Sequence, residues 1–254
     1  MQLAGELTDL SRRAPSLDAI GVNAYYEEHI HQLDRLVWAY GGRRPYVVTE
    51  VGPIGYWDEE LTPKTGLGAL IEPTPHDKTA KYVRHWNEYV EEKRGLNLGG
   101  FVYAWQDRME GTQTWFGLTD YKGRLKPAYY ALREAWTGEP IPPDLPFVER
   151  IAGPEVVALG SSAEFVAEET GPGDRDLVFE WELRRDDIFA RAGSIRPLGD
   201  GRAISLEPPE QTGSYRLYVY VADERGNVDT ASLGILVGPP AGRNPSTDAR
   251  GGSG

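Results

Sequence analysis

The chain has 254 residues, of which 40% are hydrophobic and 11% aromatic, so it is long enough to form two domains with substantial cores. Its formal net charge is −12, which argues against a nucleic-acid partner because such partners select basic surfaces. It contains no cysteine, which excludes disulfides, thiolate nucleophiles and cysteine-ligated metals. No apolar run approaches the roughly 18 residues that a membrane span needs.

The first residues, MQLAGELTDLSRRAP, lack the basic and apolar segments of a signal peptide. Localisation is therefore left open. It would be extracellular or periplasmic if a parent protein carried a signal of its own.

The first region, residues 1–138, alternates apolar runs with helical spacing. Such alternation predicts a parallel sheet covered by helices on both faces. In chain order we predict strand 17–25, helix 29–42, strand 45–52, a Gly- and Pro-rich loop 53–75, helix 76–95, strand 98–107 and helix 126–136 with Pro127 in its first turn.

The second region has a different pattern. Residues 139–150 are Pro-rich and predict a linker, residues 151–238 predict an antiparallel β-sandwich, and residues 239–254 have the composition of a disordered tail. Trp181 is the expected core anchor. The six strands expected in the sandwich are 155–159, 162–169, 177–185, 202–208, 214–223 and 228–237. In the fifth, Tyr215, Leu217, Val219 and Val221 alternate with Arg216, Tyr218 and Tyr220, so they define two faces.

Polar and aromatic side chains follow each strand of the first region. They are Asn23, Tyr25 and Tyr26 after the first strand, Thr49 and Glu50 after the second, and Trp105, Gln106 and Asp107 after the third. Parallel strands build active sites at their carboxyl ends, so we expect these side chains to meet. Aromatic rings beside a carboxylate are typical of carbohydrate sites.

These strand ends carry a resemblance to a known family. The segments NAYY (23–26), VVTEVG (47–52), VYAWQD (102–107) and FGLTDYKGRLKPAYYALREAW (116–136) together resemble the end of a clan A glycoside hydrolase barrel. The nearest likeness is to the catalytic domain of glycoside hydrolase family 2, the beta-glucuronidase and beta-galactosidase type. The resemblance implies a partial (β/α) barrel of about three βα units, strands six to eight, acting on a carbohydrate without metal or cofactor.

The resemblance also implies roles for individual residues. Glu50 corresponds to the catalytic nucleophile, and Tyr25 or Tyr26 to the tyrosine that hydrogen-bonds it. Trp105 corresponds to the tryptophan that stacks on the sugar. Asn23 and Asp107 are expected as supporting polar groups, and Trp115 as a further substrate contact.

A retaining glycosidase needs a second carboxyl about 5 Å from the nucleophile. In the family this group lies in an Asn-Glu pair on the fourth strand, whereas the Asn87-Glu88 pair here falls inside a predicted helix. Glu110 and Asp120 lie in loops that approach the expected cleft, but no spacing makes either one an acid. Three predicted βα units cannot close an eight-stranded barrel.

Several interpretations stay open at this point. The chain is a fragment of a longer enzyme, one part of an assembly whose partner chain supplies the missing strands, or a non-catalytic relative that binds carbohydrate or another protein. Glu50 could equally be a structural carboxylate, and Trp105 a core residue. The four histidines, His29, His31, His76 and His85, show no metal-like clustering and are interpreted as solvated or capping. The turn 222–229, ADERGNVD, is interpreted as a hairpin similar to that of PKD and other immunoglobulin-like modules rather than as a calcium loop.

Overall fold

The computed structural model describes residues 2–23, 30–58, 62–169, 176–186, 196–197 and 201–238. Within these ranges there are four α-helices: α1 (Gln2–Arg13), α2 (Leu33–Tyr40), α3 (Pro75–Trp86) and α4 (Pro127–Thr137). A π-helical turn, Asn87–Glu91, continues α3. No helix in this part of the chain is both long enough and apolar enough to cross a membrane.

The first region is built on a three-stranded parallel sheet. Its strands are β1 (Ile20–Asn23), β2 (Tyr46–Val51) and β3 (Asn97–Val102), and they lie side by side in chain order. Each connection contains a helix, as a parallel crossover requires. One core cluster packs α1, α2 and the π-helical turn against this sheet. A second cluster joins α3 to α4.

The second region is a β-sandwich. One sheet has the order β5-β11-β10-β7-β8 and the other has the order β4-β6-β9. The core between them includes Trp181, as expected, and its indole nitrogen donates to the Gly201 carbonyl at 2.7 Å. The strands are β4 (Val148–Ala152), β5 (Val156–Ala158), β6 (Ala163–Glu169), β7 (Val178–Arg185), β8 (Arg196–Pro197), β9 (Ala203–Leu206), β10 (Gly213–Ala222) and β11 (Val228–Gly238).

Six of these strands match the predicted ones, and the sandwich departs from the expectation in two respects. Strand β4 begins at Val148, inside the predicted linker, and β8 was not expected. Strand β5 pairs with β11 in parallel, so the sandwich is not wholly antiparallel.

Both faces of β10 are buried. Leu217 and Val219 enter the sandwich core, whereas Arg216, Tyr218 and Tyr220 point to the opposite side. That opposite side is covered by loops of the first region. The alternation therefore follows the prediction, and the second face packs against protein instead of solvent.

Glu72, in the loop before α3, is the centre of the contact between the two regions. Its carboxylate accepts from Lys78 Nζ at 2.7 Å and from the hydroxyls of Thr112, Thr114 and Ser232 at 2.7 to 2.9 Å. Ser232 belongs to β11, and the other donors belong to the first region. Because every donor is satisfied by one buried carboxylate, this residue links α3, the 112–114 loop and the sandwich.

Gln113 provides a second link. Its side-chain amide donates to Glu182 Oε2 at 2.8 Å and to the Tyr220 hydroxyl, and its oxygen accepts from Arg184. Its backbone N–H donates to the Tyr218 hydroxyl at 3.2 Å. The loop that follows β3 thus lies on the outer face of the five-stranded sheet. We call this contact, centred on Glu72 and Gln113, the junction.

Two expectations for the first region are wrong, and one of its helices is not predicted by the sequence. The sheet is not covered on both faces, because the side of β3 that carries Phe101 is exposed. His85 is not solvated: it is 4% exposed, and its Nδ1 lies 2.7 Å from the Gly52 carbonyl. Helix α1 was not predicted, although Leu7 on it is buried in the core.

We expect Glu72→Gln to destabilise the protein by roughly 3 kcal/mol, because it leaves buried Lys78 without its counter-charge. Burial raises the pKa of Glu72, but Lys78 and the neighbouring hydroxyls outweigh it and lower that pKa from 4.5 to about 2. The ionic stabilisation is therefore present above about pH 4.5 and lost as the pH falls toward 2. Urea unfolding at a series of pH values measures both effects.

The matched control is Glu149→Gln, which removes the same charge from an exposed position on β4. It should change the unfolding free energy by less than about 0.5 kcal/mol. Equal effects of the two substitutions would contradict the assignment of Glu72 as the link between the regions.

Candidate functional site

The parallel sheet brings the ends of its strands together. Asn23 of β1 lies opposite Glu50 of β2, and Val51 of β2 lies opposite Val102 of β3. Tyr103, immediately after β3, donates its N–H to the Val51 carbonyl at 2.8 Å. The first two predicted strand ends are thus neighbours, and the third begins beside them.

A β-bulge in β2 determines where Glu50 points. The register with β1 shifts between Val22 and Asn23, so that Val22 pairs with Val48 and Asn23 pairs with Glu50. Along β2, Tyr46, Val48 and Val51 are buried, and both residues between Val48 and Val51 are partly exposed. A bulge carries two consecutive side chains toward the same side. Thr49 and Glu50 therefore both leave the face that the helices cover.

Thr49 confirms this direction. Its hydroxyl donates to Asn23 Oδ1, and a Cβ added to Gly21 would lie 2.9 Å from its methyl group. Gly21, Asn23 and Thr49 therefore share one face of the sheet. We call this side the open face, and it comprises Gly21, Asn23, Val47, Thr49, Glu50 and Phe101.

Strand β3 extends the open face with apolar side chains. A Cβ on Gly100 would lie 2.9 Å from Val90 of the π-helical turn, so Gly100 faces the helices and Phe101 faces away. Phe101, Trp105 and Leu98 are 66%, 63% and 62% exposed, the highest values for large hydrophobic side chains in the described ranges. Phe101 thus leaves apolar surface uncovered on the open face, whereas Leu98 lies at the other end of β3, near the start of β2.

Trp105 lies on a segment that is held firmly behind the ring. The Trp105 carbonyl accepts from both the N–H and the hydroxyl of Thr119, at 2.9 and 3.0 Å. The Tyr82 hydroxyl donates to the carbonyls of Tyr103 and Phe116. The ring itself contacts Tyr129 edge to face at 6.0 Å. A rigid backbone with an exposed indole is suited to stacking on a flat ligand face.

Asp107 occupies a buried position instead of the expected substrate surface. Its Oδ1 accepts from the Gly117 N–H at 2.9 Å, and Lys126 Nζ lies 2.5 Å from Oδ2. Burial raises the pKa of Asp107 to about 6, and the lowering effect of Lys126 offsets this only in part. The structure therefore gives Asp107 a supporting role beneath the Trp105 segment.

Trp115 is also placed in the interior. It is 1% exposed, donates its indole N–H to the Ile54 carbonyl at 2.9 Å and packs edge to face on Tyr56. It has no ring face available to a ligand, so its contribution is to the core beneath the loops. Trp57, 39% exposed, packs against Tyr56 at the surface.

The remaining candidates are placed as follows. Tyr25 and Tyr26, the expected partners of Glu50, and His29 lie outside the described residues. Asp120 is fully buried and pairs with Arg124 at 2.7 Å. In the 222–229 turn, Asp223 accepts from the N–H groups of Arg225 and Asn227, which fits the hairpin interpretation.

Glu110 lies at the same end of the sheet as Glu50. The Tyr103 hydroxyl donates to its two carboxylate oxygens at 2.7 and 2.9 Å, and Arg108 Nε lies 2.7 Å from Oε1. The Arg108 guanidinium also stacks over the Tyr103 ring at 4.8 Å. A carboxylate that is already an acceptor for two neighbours has no geometric feature of a proton donor to a substrate. No spacing of residues in the sequence predicts this cluster.

Comparisons with known proteins give only partial structural similarities. No family model and no curated protein matches the sequence. Similar solved structures include the PKD1 domain of Vibrio anguillarum Epp, with 18% identity over 37% of this chain and 99% of that domain, at a TM-score of 0.25. The fibronectin type-III domain of human fibronectin type III domain containing protein 3 gives 14% identity, coverages of 38% and 92%, and a TM-score of 0.28.

A PKD domain of an M14-like peptidase from a Thermoplasmatales archaeon gives 18% identity, coverages of 38% and 97%, and a TM-score of 0.26. These TM-scores are too low to carry an argument, so the sandwich assignment rests on the strand order. The glycoside hydrolase resemblance receives no support from these comparisons and stays a prediction.

The contrast between Asp107 and Trp105 is testable. Asp107→Asn should cost about 3 kcal/mol in the free energy of unfolding, because it removes the charge beside buried Lys126. Trp105→Ala should cost less than about 1 kcal/mol, because the ring is mostly exposed. Chemical unfolding followed by circular dichroism measures both. A larger effect of Trp105→Ala than of Asp107→Asn would show that Trp105 is a packing residue.

Proposed function

We propose that this chain supplies the nucleophile side of a retaining glycoside hydrolase active site, with Glu50 as the nucleophile. The observation that carries the proposal is the bulge in β2, which turns a carboxylate onto the open face beside Asn23. Bulges next to active sites commonly re-aim a side chain in this way.

We further propose that the sheet is an arc of a (β/α) barrel. Its strands follow one another in chain order with helical crossovers, and the described helices cover one face. A closed barrel would bury the other face, which here carries Gly21, Val47 and Phe101. Parallel sheets are normally covered on both sides, and that expectation favours further strands against the open face.

The second carboxyl would come from those further strands, either in a longer chain or in a partner chain. Asn87 and Glu88 do not supply it: they lie in the π-helical turn, where Glu88 accepts from Arg84 at 3.2 Å. Glu110 is engaged by Tyr103 and Arg108. On this proposal the chain alone has no acid/base and does not hydrolyse glycosides.

The chemistry follows from the residue types. Glu50 attacks the anomeric carbon of a bound sugar while the acid protonates the departing oxygen, and a covalent glycosyl-enzyme forms. Water, deprotonated by the same second carboxyl, then releases the sugar. Trp105 stacks on the sugar ring, and Asn23 orients the nucleophile or a sugar hydroxyl.

The test is covalent trapping in the full-length gene product that contains this chain. A panel of 2-deoxy-2-fluoroglycosyl fluorides should add one glycosyl mass to the peptide that carries Glu50, and Glu50→Gln should abolish the addition. Glu149→Gln should be labelled like the unmodified protein. A modified peptide elsewhere, or none with every sugar in the panel while the enzyme cleaves its substrate, would contradict the proposal.

A second candidate function is non-catalytic carbohydrate binding. It is favoured by the exposure of Trp105 on a rigid backbone segment, and by the lack of an evident acid/base among the residues that the structure describes. In this case glycan-array binding of the chain itself would be retained by Glu50→Gln and lost by Trp105→Ala. Loss with both variants would favour the active-site interpretation, and no binding at all would exclude this second function.

A further inference from the structure

Around Lys78 and Lys126 the junction holds three buried carboxyl groups, those of Glu72, Asp107 and Asp229. Lys78 is paired with Glu72 at 2.7 Å, and Lys126 is paired with Asp107 at 2.5 Å. Asp229 is 1% exposed. Among the residues that the structure describes, it has no lysine, arginine or histidine within ion-pair distance, and its contacts are two backbone N–H groups.

Asp229 lies at a position that ties several elements together. It is near the start of β11, where its two oxygens accept from the N–H groups of Val148 and Thr230, each at 2.9 Å. Val148 is the first residue of β4, so this carboxyl connects one sheet of the sandwich to the other. It also lines a small cavity that reaches the first region.

That cavity has a volume of about 20 Å³, and Asp229 shares it with Lys78, Lys126 and Tyr82. This is room for about one water molecule, which is far from the hydration that a free carboxylate obtains in bulk water. The charged or titratable groups facing Asp229 are Lys78 and Tyr82 from α3 and Lys126 from the start of α4. The neighbouring strands β4 and β10 present Val148 and Val221.

The two lysines do not neutralise Asp229. Lys78 is paired with Glu72 and Lys126 with Asp107, so the net charge of each pair is close to zero. An ionised Asp229 would therefore be a buried net charge, and a protein relieves such a charge by holding the proton or by admitting water. The cavity holds no more than about one water molecule, so hydrating an ionised Asp229 further requires α3, α4 and β11 to separate.

We propose that the junction is a pH-sensitive latch: Asp229 is protonated while the two regions are docked, and its ionisation loosens their contact. The inference is independent of the glycosidase proposal. In this proposal the sandwich holds the 112–126 loop in place, and the strength of that contact depends on pH.

The direction of the pH effect follows from the linkage between proton binding by Asp229 and docking of the two regions. Burial raises the pKa of Asp229 from 3.8 to about 7, and the two N–H donors and the lysines offset this only in part. Because the docked state keeps the proton to higher pH than the open state does, docking weakens as the pH rises from about 4 to about 7. Above about pH 7 both states are ionised, and the effect of this residue levels off.

The first experiment is direct. In protein labelled with ¹³C at aspartate side chains, the carboxyl resonance of Asp229 should titrate with a midpoint near pH 7 in the folded chain. The resonance is assigned by its loss in Asp229→Asn or, if that variant does not fold, through its own backbone amide. A midpoint below about pH 5 would overturn the proposal.

The second experiment measures coupling to docking. Relative to Asp229→Asn, the unfolding equilibrium constant of the unmodified protein should rise by up to about tenfold per pH unit between pH 4.5 and 6.5, and then level off. Glu149→Gln, the exposed control on β4, should not change the pH profile in that interval. A ratio between the unmodified protein and Asp229→Asn that is independent of pH would overturn the latch even if both proteins fold equally well.

Discussion

The buried ion pair between Glu72 and Lys78 is the contact on which the architecture depends. A carboxylate inside a protein is costly unless its oxygens are satisfied, and this one is satisfied only when three separate segments converge. The described parts of the 53–75 loop contain almost no regular structure, and the loop is ordered at Glu72 by that requirement. The hydrogen bonds to Glu72 therefore hold the two regions together, although the regions have different folds.

The same contact determines how the loop after β3 is presented. Gln113 is fixed from the sandwich side by Glu182, and Thr114 is fixed by Glu72 of the first region, while Asp107 and Lys126 fix the segment from beneath. Trp105 stays at the surface because the polar groups of the segment behind it already form hydrogen bonds or ion pairs with one another. The sandwich thus contributes to the candidate site by holding its scaffold, without any side chain of its own in it.

The open face of the parallel sheet, unlike the junction, is not covered by the described residues. Here the sequence places Gly21 where a side chain would collide with Thr49, and Phe101 where nothing in the described ranges covers it. Small residues, an apolar ring and a re-aimed carboxylate on one face make sense together if that face is the interior of a larger barrel. This is the strongest physical reason to keep the glycosidase proposal despite the silence of the comparisons.

Much of this organisation can be predicted from the sequence. The alternation of Leu217 and Val219 with Tyr218 and Tyr220 predicts β10 and its two faces, and Pro127 predicts the start of α4. Local patterns could not show that Tyr218 and Tyr220 face another region, since burial by a distant loop leaves no periodic signal. They also could not separate Trp115 from Trp105, two tryptophans with opposite environments, because exposure is decided by which loop returns over each ring.

The environments of Asp107 and Asp229 show why a sequence predicts the surroundings of charged residues less well than those of apolar residues. A carboxylate after a strand is compatible with a ligand contact, a buried ion pair or a buried neutral acid, and only the distance to a lysine distinguishes them. Glu72 is stabilised as an anion, so its contribution favours pH values above about 4.5, whereas burial of Asp107 and Asp229 favours lower values. The junction therefore combines carboxyl groups whose contributions to stability depend on pH in opposite directions, because Glu72 is held as an anion by Lys78 whereas Asp229 is buried with only N–H donors.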